Sequence, residues 1–221
     1  MDQPETDYAT ARALMVDCQV RPNKVNDPRV LAAMRSLPRE RFVPPHAAAL
    51  AYADEDVPLG GGRYLMEPMV IARLVQIAAP RAGERALVVA AGSGYGAALL
   101  AACGATVTAL EQDEALLALA RAALAATGPT VSLVSGPLAA GWKAAAPYDI
   151  VLIEGAVETI PPALVAQLKP QGGRLLAVRI GGGMGQAVLG ERVGDALSLQ
   201  PVFDCATPLV PSLRPAPGFV F

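Results

Sequence analysis

Between Ala86 and Leu110 the chain carries no charged residue, and three glycines, Gly92, Gly94 and Gly96, cluster inside that run. An uncharged stretch of this length can cross a bilayer, or it can lie in a parallel sheet buried on both faces. The clustered glycines favour the sheet. "ALVVAAGSGYGAALLA" reads as a strand, a tight turn and a helix, and "ATVTALE" follows as a second strand.

Strand and helix then alternate to the end of the chain. "TVSLV", "YDIVLIE" and "GRLLAVRI" read as strands, with helices in "DEALLALARAALAA" and "PPALVAQL". Such alternation predicts parallel strands joined by right-handed crossovers, hence an α/β, doubly wound, mostly parallel sheet. The finish differs, because "QAVLGERV" and "ALSLQPVF" flank Gly194 and Asp195, a turn signal that predicts a C-terminal antiparallel hairpin. The tail from Pro208 to Pro217 is proline-rich and is expected to lie extended over the surface.

Residues 1–80 read instead as an N-terminal helical segment packed on the core formed by 81–221, giving a single domain overall. Asn26 or Asp27 can cap a helix that opens at Pro28, and Pro44 with Pro45, and Pro68, can open two more. In the helix after Pro68, Val70, Ile71, Leu74, Val75 and Ala78 fall on one face. "ADEDVPLGGGRY" reads as a loop, given three consecutive glycines.

The charge balance excludes some partners. With 18 basic and 20 acidic residues the net charge is −2, which leaves no basic stripe for a nucleic-acid backbone. Cys18, Cys103 and Cys205 are scattered and form no CxxC pair, so neither a disulfide framework nor a metal site is expected, and a cytoplasmic setting fits. The opening segment does not resemble a secretory signal, and no membrane association is expected.

The glycine turn is the candidate binding element. In open α/β sheets ligands settle at the carboxyl ends of strands, where a helix N-terminus offers free backbone donors. Glu111 ends the next strand, close to the spacing of roughly 20 residues at which an acid grips a ribose diol. Gly92, Gly94 and Ala97 also satisfy the relaxed G-x-G-x-x-A fingerprint, so an NAD-linked oxidoreductase is one alternative. The preceding helical segment and the terminal hairpin weigh against that alternative, and the layout resembles the Rossmann-like S-adenosylmethionine-dependent methyltransferases.

Two longer segments sharpen this. "LPRERFVPPHAAALAYADEDVPLGGGRYLMEPMVIARL" and "GWKAAAPYDIVLIEGAVETIPPALVAQLKPQGGRL" resemble the protein-L-isoaspartate O-methyltransferase family over most of Leu37 to Gly181. The resemblance implies a seven-stranded methyltransferase sheet with added N-terminal helices, S-adenosylmethionine as cofactor, and a damaged protein or peptide bearing isoaspartyl residues as the substrate whose carboxylate is methylated. Gly92, Gly94 and Glu111 match the family's cofactor contacts, and Ala90, Gly136 and Trp142 fall at further positions of that pocket.

The chain also departs from the family. Val88 and Ala90 stand where the family has glutamate and glycine, Pro137 where an aspartate contacts adenine, and Tyr64, Leu65 and Met66 where a Thr-Ile-Ser triplet borders the transferred methyl. Charged-group hydrogen bonds contribute roughly 1.5–3 kcal/mol each. Losing two carboxylates therefore weakens a micromolar site to about millimolar. A catalytically degenerate relative with a binding or regulatory role is thus the second alternative.

Around the expected acceptor site stand Arg63, Met66, Glu67 and Glu154, the last where the family has threonine. Glu67 and Glu154, if ionised, would repel an anionic acceptor, which Arg63 could offset by a bidentate contact. Alternatively, Glu67 caps the helix at Pro68 and Arg63 is solvated, or Glu154 serves as a base for an amine or hydroxyl acceptor. His46 reads as a surface residue and Cys103 as a small core residue.

Overall fold

The computed structural model describes residues 7–181 and 184–214. An interior strand of its sheet, β3 (Arg85–Val89), shows why the uncharged run belongs in a sheet; it follows the hairpin strands β1 (Val57–Gly60) and β2 (Arg63–Leu65). Ala86 and Val88 enter one hydrophobic cluster, and Leu87 and Val89 enter a second on the other face, so neither parity is left for water. Parallel partners flank it: β4 (Thr106–Glu111) sets Ala109 against Val88, and β6 (Ile150–Val157) sets Leu152 against the same residue. β5 (Val131–Ser135) adds beyond β4, and β7 (Gln171–Gly181) beyond β6, both parallel. The chain then folds back antiparallel as β8 (Met184–Val193) and β9 (Ala196–Asp204), with Gly194 at φ +63° in the turn between them. The order β5-β4-β3-β6-β7-β8-β9 is the expected doubly wound, seven-stranded sheet with an antiparallel finish.

Helices α4 (Tyr95–Ala102) and α5 (Glu114–Thr127) carry the chain outward from β3, while α6 (Pro162–Ala166) carries it the other way from β6. Right-handed crossovers travelling in opposite directions place their helices on opposite faces. Accordingly Leu99 and Leu116 join the Val88 cluster and Leu164 joins the other. The reversal between β3 and β6 puts the binding crevice of such a sheet at the carboxyl ends of these strands. The N-terminal helices pack on the Val88 side. They are α1 (Tyr8–Leu14), continued by a π-helical turn at Met15–Val20, α2 (Pro28–Ser36) and α3 (Pro68–Ala78), and Val16, Val30, Met34, Val70 and Leu74 belong to that cluster. Asp27, not Asn26, caps α2 by accepting from the Arg29 N–H. Among the described residues no helix is long and apolar enough to cross a membrane.

Three sequence expectations are corrected. The "ADEDVPLGGGRY" segment is not a loop: β1 and β2 pair as an antiparallel hairpin. Gly61 and Gly62, at φ +59° and +71°, supply the left-handed turn that joins them, so the glycines enable the hairpin rather than break it. The segment after Pro44 forms a 3₁₀ helix, Pro45–Leu50, in place of an α-helix. The tail does not lie extended on the surface as far as it is described: Val210 and Leu213 are buried in the second cluster, the Val210 N–H donates to the Ala156 carbonyl, and the Ala156 N–H donates to the Pro208 carbonyl. Residues 215–221 lie outside the described residues.

Candidate active site

The glycine turn joins β3 to α4, as expected, but it does not face open space. Every residue from Ala91 to Leu100 is buried. Ala90 takes φ +58°, a left-handed conformation that costs a residue with a Cβ roughly 1–2 kcal/mol, at the position where the family has glycine. Gly92 follows at φ +56°, and a Cβ there would lie 3.2 Å from Leu59 Cδ1 and 3.8 Å from Arg63 Nη2. Both of these side chains come from the β1–β2 hairpin, which is folded over the turn.

Arg63 decides the character of the site. Its Nη1 donates to Glu111 Oε2 at 2.8 Å and its Nη2 donates to the Ala90 carbonyl at 2.5 Å. The side chains of Arg63 and Glu111 are 7% and 0% exposed. The remaining capacity of Glu111 is also taken, since Oε2 accepts the Gly92 N–H at 2.8 Å and Oε1 accepts the N–H groups of Gln112 and Asp113 at 2.8 and 3.1 Å. Arg63 is therefore neither solvated nor aimed at an acceptor; it is the counter-ion of the acid expected to hold a ribose. The chemistry of the donor set, a carboxylate beside glycine-turn amides, suits an adenosyl ligand. The space does not, because guanidinium and leucine occupy it. Arg63 also borders, with Tyr64 and Glu154, a void of about 10 Å³, room for about one water molecule.

Glu154 lies on β6, across the same void. A Cβ at Gly96 would overlap its Oε1, so glycine at the start of α4 is what lets this carboxyl fit beneath the helix. Burial pushes the carboxyl up to about 8; the Arg63 and Arg39 cations pull the other way, and the Glu111 carboxylate adds to the rise. Oε1 has no hydrogen-bond partner among the described residues. A neutral Glu154 does not repel an anionic acceptor, which removes the electrostatic objection raised by its sequence position.

The sign of its effect on stability follows. The native state holds this proton where the unfolded chain, at about 4.5, has lost it, so stability is fully present below about 4.5 and declines as pH rises to about 8. Glu154→Gln should remove that decline, about 1.4 kcal/mol per pH unit across the window. Denaturant unfolding of both proteins at pH 5 and pH 8 checks this, and equal pH dependence would refute it.

The other expected residues divide. Met66 is buried and contributes its carbonyl, which accepts from Arg39 Nη2 at 2.5 Å. Glu67 precedes Pro68 but makes no side-chain cap for α3; instead its own N–H donates to Asp56 Oδ1 at 2.9 Å. Burial, with Asp54 and Asp56 nearby, raises its carboxyl above the ordinary range. Gly94 is the left-handed N-cap of α4 and packs against Ala120 and Leu124 of α5. Gly136 packs between Leu110 and Trp142 beside the end of β4, each 3.5 Å from where a Cβ would be. Pro137 is exposed and opens a short 3₁₀ turn. Val88 is sealed between Ala109 and Leu152, where a carboxylate would have no water.

Sequence reasoning missed Leu59, Gly96 and Arg39. Arg39 is fully buried: its Nε donates to the Ala51 carbonyl at 2.6 Å and its guanidinium lies 4.8 Å from the Tyr95 ring centroid. Burial lowers its affinity for the proton, with Tyr95 opposing. No spacing rule flags an arginine in a 3₁₀ turn. For Gly96 the available signal was its place as the third glycine of the cluster.

A family model described as protein-L-isoaspartate(D-aspartate) O-methyltransferase (PCMT) matches residues 10–198. The protein-L-isoaspartate O-methyltransferase of Methylorubrum extorquens (strain PA1) is 46% identical over 187 residues, covering 85% of this chain and 81% of the relative. Protein-L-isoaspartate O-methyltransferase 2 of Marinobacter nauticus is 36% identical over 199 residues, covering 89% and 90%. Two solved structures superpose on 94% of this chain. One, described as a protein-L-isoaspartate O-methyltransferase, has a TM-score of 0.77 at 20% identity and is covered over 67% of its length. The other, a Plasmodium falciparum chain described as a beta-aspartate methyltransferase in complex with S-adenosyl-L-homocysteine, has a TM-score of 0.78 at 16% identity and is covered over 100%. At these identities the structures establish a shared fold.

Proposed function

Because this chain belongs to the protein-L-isoaspartate(D-aspartate) O-methyltransferase family, we propose that it is an S-adenosylmethionine-dependent O-methyltransferase acting on protein, and that its acceptor is the free carboxylate of isoaspartyl residues in damaged chains. The observation that carries this reading is the continuous family match over residues 10–198, which takes in the hairpin, the glycine turn and the strand bearing Glu154. A cytoplasmic setting is part of the proposal, supported by Cys18, Cys103 and Cys205 being free thiols.

The sulfonium cofactor supplies an electrophilic methyl group. What the protein must add is position and dryness more than acid–base chemistry, since a carboxylate acceptor is already ionised at neutral pH. Glu111 and the Gly92 turn are the groups that would hold the ribose, and the apolar side chains of Leu110 and Trp142 beside Gly136 the adenine. Glu154, uncharged below about pH 8, keeps the acceptor side free of a second anion. The hairpin that carries Arg63 and Tyr64 covers this end of the sheet and excludes water from it.

One observation favours a second reading, a binding or regulatory relative without turnover: Arg63 occupies the carboxylate that the cofactor needs. The two part in a transfer assay with methyl-labelled S-adenosylmethionine and matched peptides, one isoaspartyl and one aspartyl. The enzyme reading expects base-labile label on the isoaspartyl peptide alone. Cofactor binding without label on either peptide would leave the second reading standing and overturn the first.

A further inference from the structure

The crevice is closed by a side chain whose two contacts, Glu111 and Ala90, both belong to the set expected from the sequence to line a cofactor pocket. Arg63 is anchored on a short hairpin, not on the sheet, and grips the end of β4 at Glu111 and the glycine turn at Ala90. Leu59, from the other hairpin strand, covers Gly92. Across the 10 Å³ void that Arg63 lines stands Glu154, nine-tenths and more buried, its Oε1 without a partner among the described residues. The guanidinium thus has two carboxyl groups within one buried neighbourhood, and only one of them is engaged.

Resting on the methyltransferase reading for the ligand's identity, we propose that Arg63 is a latch: seated on Glu111 it holds the hairpin shut over the glycine turn, and an adenosyl ligand enters when the guanidinium moves to Glu154. Glu111 can be released without being stranded, because three backbone N–H groups still serve it. Released from Glu111 while still enclosed beneath the hairpin, the guanidinium would be a buried cation without a counter-ion. Glu154 answers that need by releasing its proton to solvent and becoming the counter-ion, and the Arg63–Glu154 pair so formed still presents no net charge to an acceptor. The closed seat lowers apparent ligand affinity by the fraction of molecules that are open.

Calorimetry with S-adenosylhomocysteine and hydrogen exchange without ligand test the two halves. Arg63→Gln should bind S-adenosylhomocysteine at least tenfold more tightly than the unaltered chain and should exchange the amides of residues 57–65 and of Gly92 at least tenfold faster in the absence of ligand. Glu154→Gln should weaken binding at least tenfold, and that loss should vanish in the Arg63→Gln background, where no cation needs the second seat. If Arg63→Gln fails to fold, Arg63→Lys, which keeps the charge but not the two-pronged grip, should move both readouts in the same direction. Equal or weaker binding by a folded Arg63 variant that binds the ligand at all overturns the latch, as do unchanged exchange rates or a Glu154→Gln loss that persists in the double variant. Faster exchange with no binding by any variant keeps the hairpin fastening and removes the adenosyl ligand, which is the failure of the methyltransferase reading instead.

Discussion

Glu111→Ala should destabilise the folded chain by about 3–5 kcal/mol, the range for breaking a buried ion pair by removing one partner. The change leaves the Arg63 guanidinium enclosed with only the Ala90 carbonyl, and it strips Gly92, Gln112 and Asp113 of the acceptor for their N–H groups. Removing both charges should be milder, because a cation no longer lies uncompensated; Glu111→Ala with Arg63→Met should recover a large part of the loss. Urea unfolding of the single and double variants measures both. A single-variant loss below about 1 kcal/mol would mean that the pair is solvated, since exposed pairs contribute in that range, and the closed crevice would fall with it.

Arg39→Ala is expected to cost about 3 kcal/mol or more, although it removes a buried cation with no carboxylate partner. Three effects compete. Truncating a large buried side chain leaves a cavity costing roughly 2–5 kcal/mol, and the Ala51 and Met66 carbonyls each lose a donor at about 1–3 kcal/mol. Relief of the cation's desolvation opposes these by several kcal/mol, and the first two prevail. Because Met66 follows β2 directly and stands just before Glu67, the N-cap of α3, the local consequence should be a loosened hairpin base. Thermal unfolding with hydrogen exchange across residues 57–66 reads both effects, and an unchanged midpoint would show that the two carbonyls find other donors.

The alternation of apolar strands and helices, the hairpin turn at Gly194 and the helix after Pro68 were all legible because they are local. Period and turn chemistry act within a few residues of the positions they constrain. The loop reading of residues 53–64 failed for a local reason too: consecutive glycines weaken a strand interior but favour the left-handed turn between two short strands, and the second role prevailed. That Gly92 and Glu111 meet could be read because their spacing along the chain is tied to one strand–turn–helix–strand unit. What else that pair contacts could not be read. Arg63 lies 48 residues before Glu111 in sequence, and Leu59 lies earlier still.

By itself, then, the sequence determined the sheet, its order of strands and helices, and the family, because each follows from patterns repeated over short stretches or matched along most of the chain. Only the tertiary structure decided that the glycine turn is covered and that the acid at the end of β4 already holds a cation. Those facts depend on which side chains meet after the hairpin folds back over the sheet. Burial turns such a meeting into a constraint: an arginine enclosed beside a carboxylate in low dielectric must pair with it, whereas the same two residues in solvent would scarcely interact.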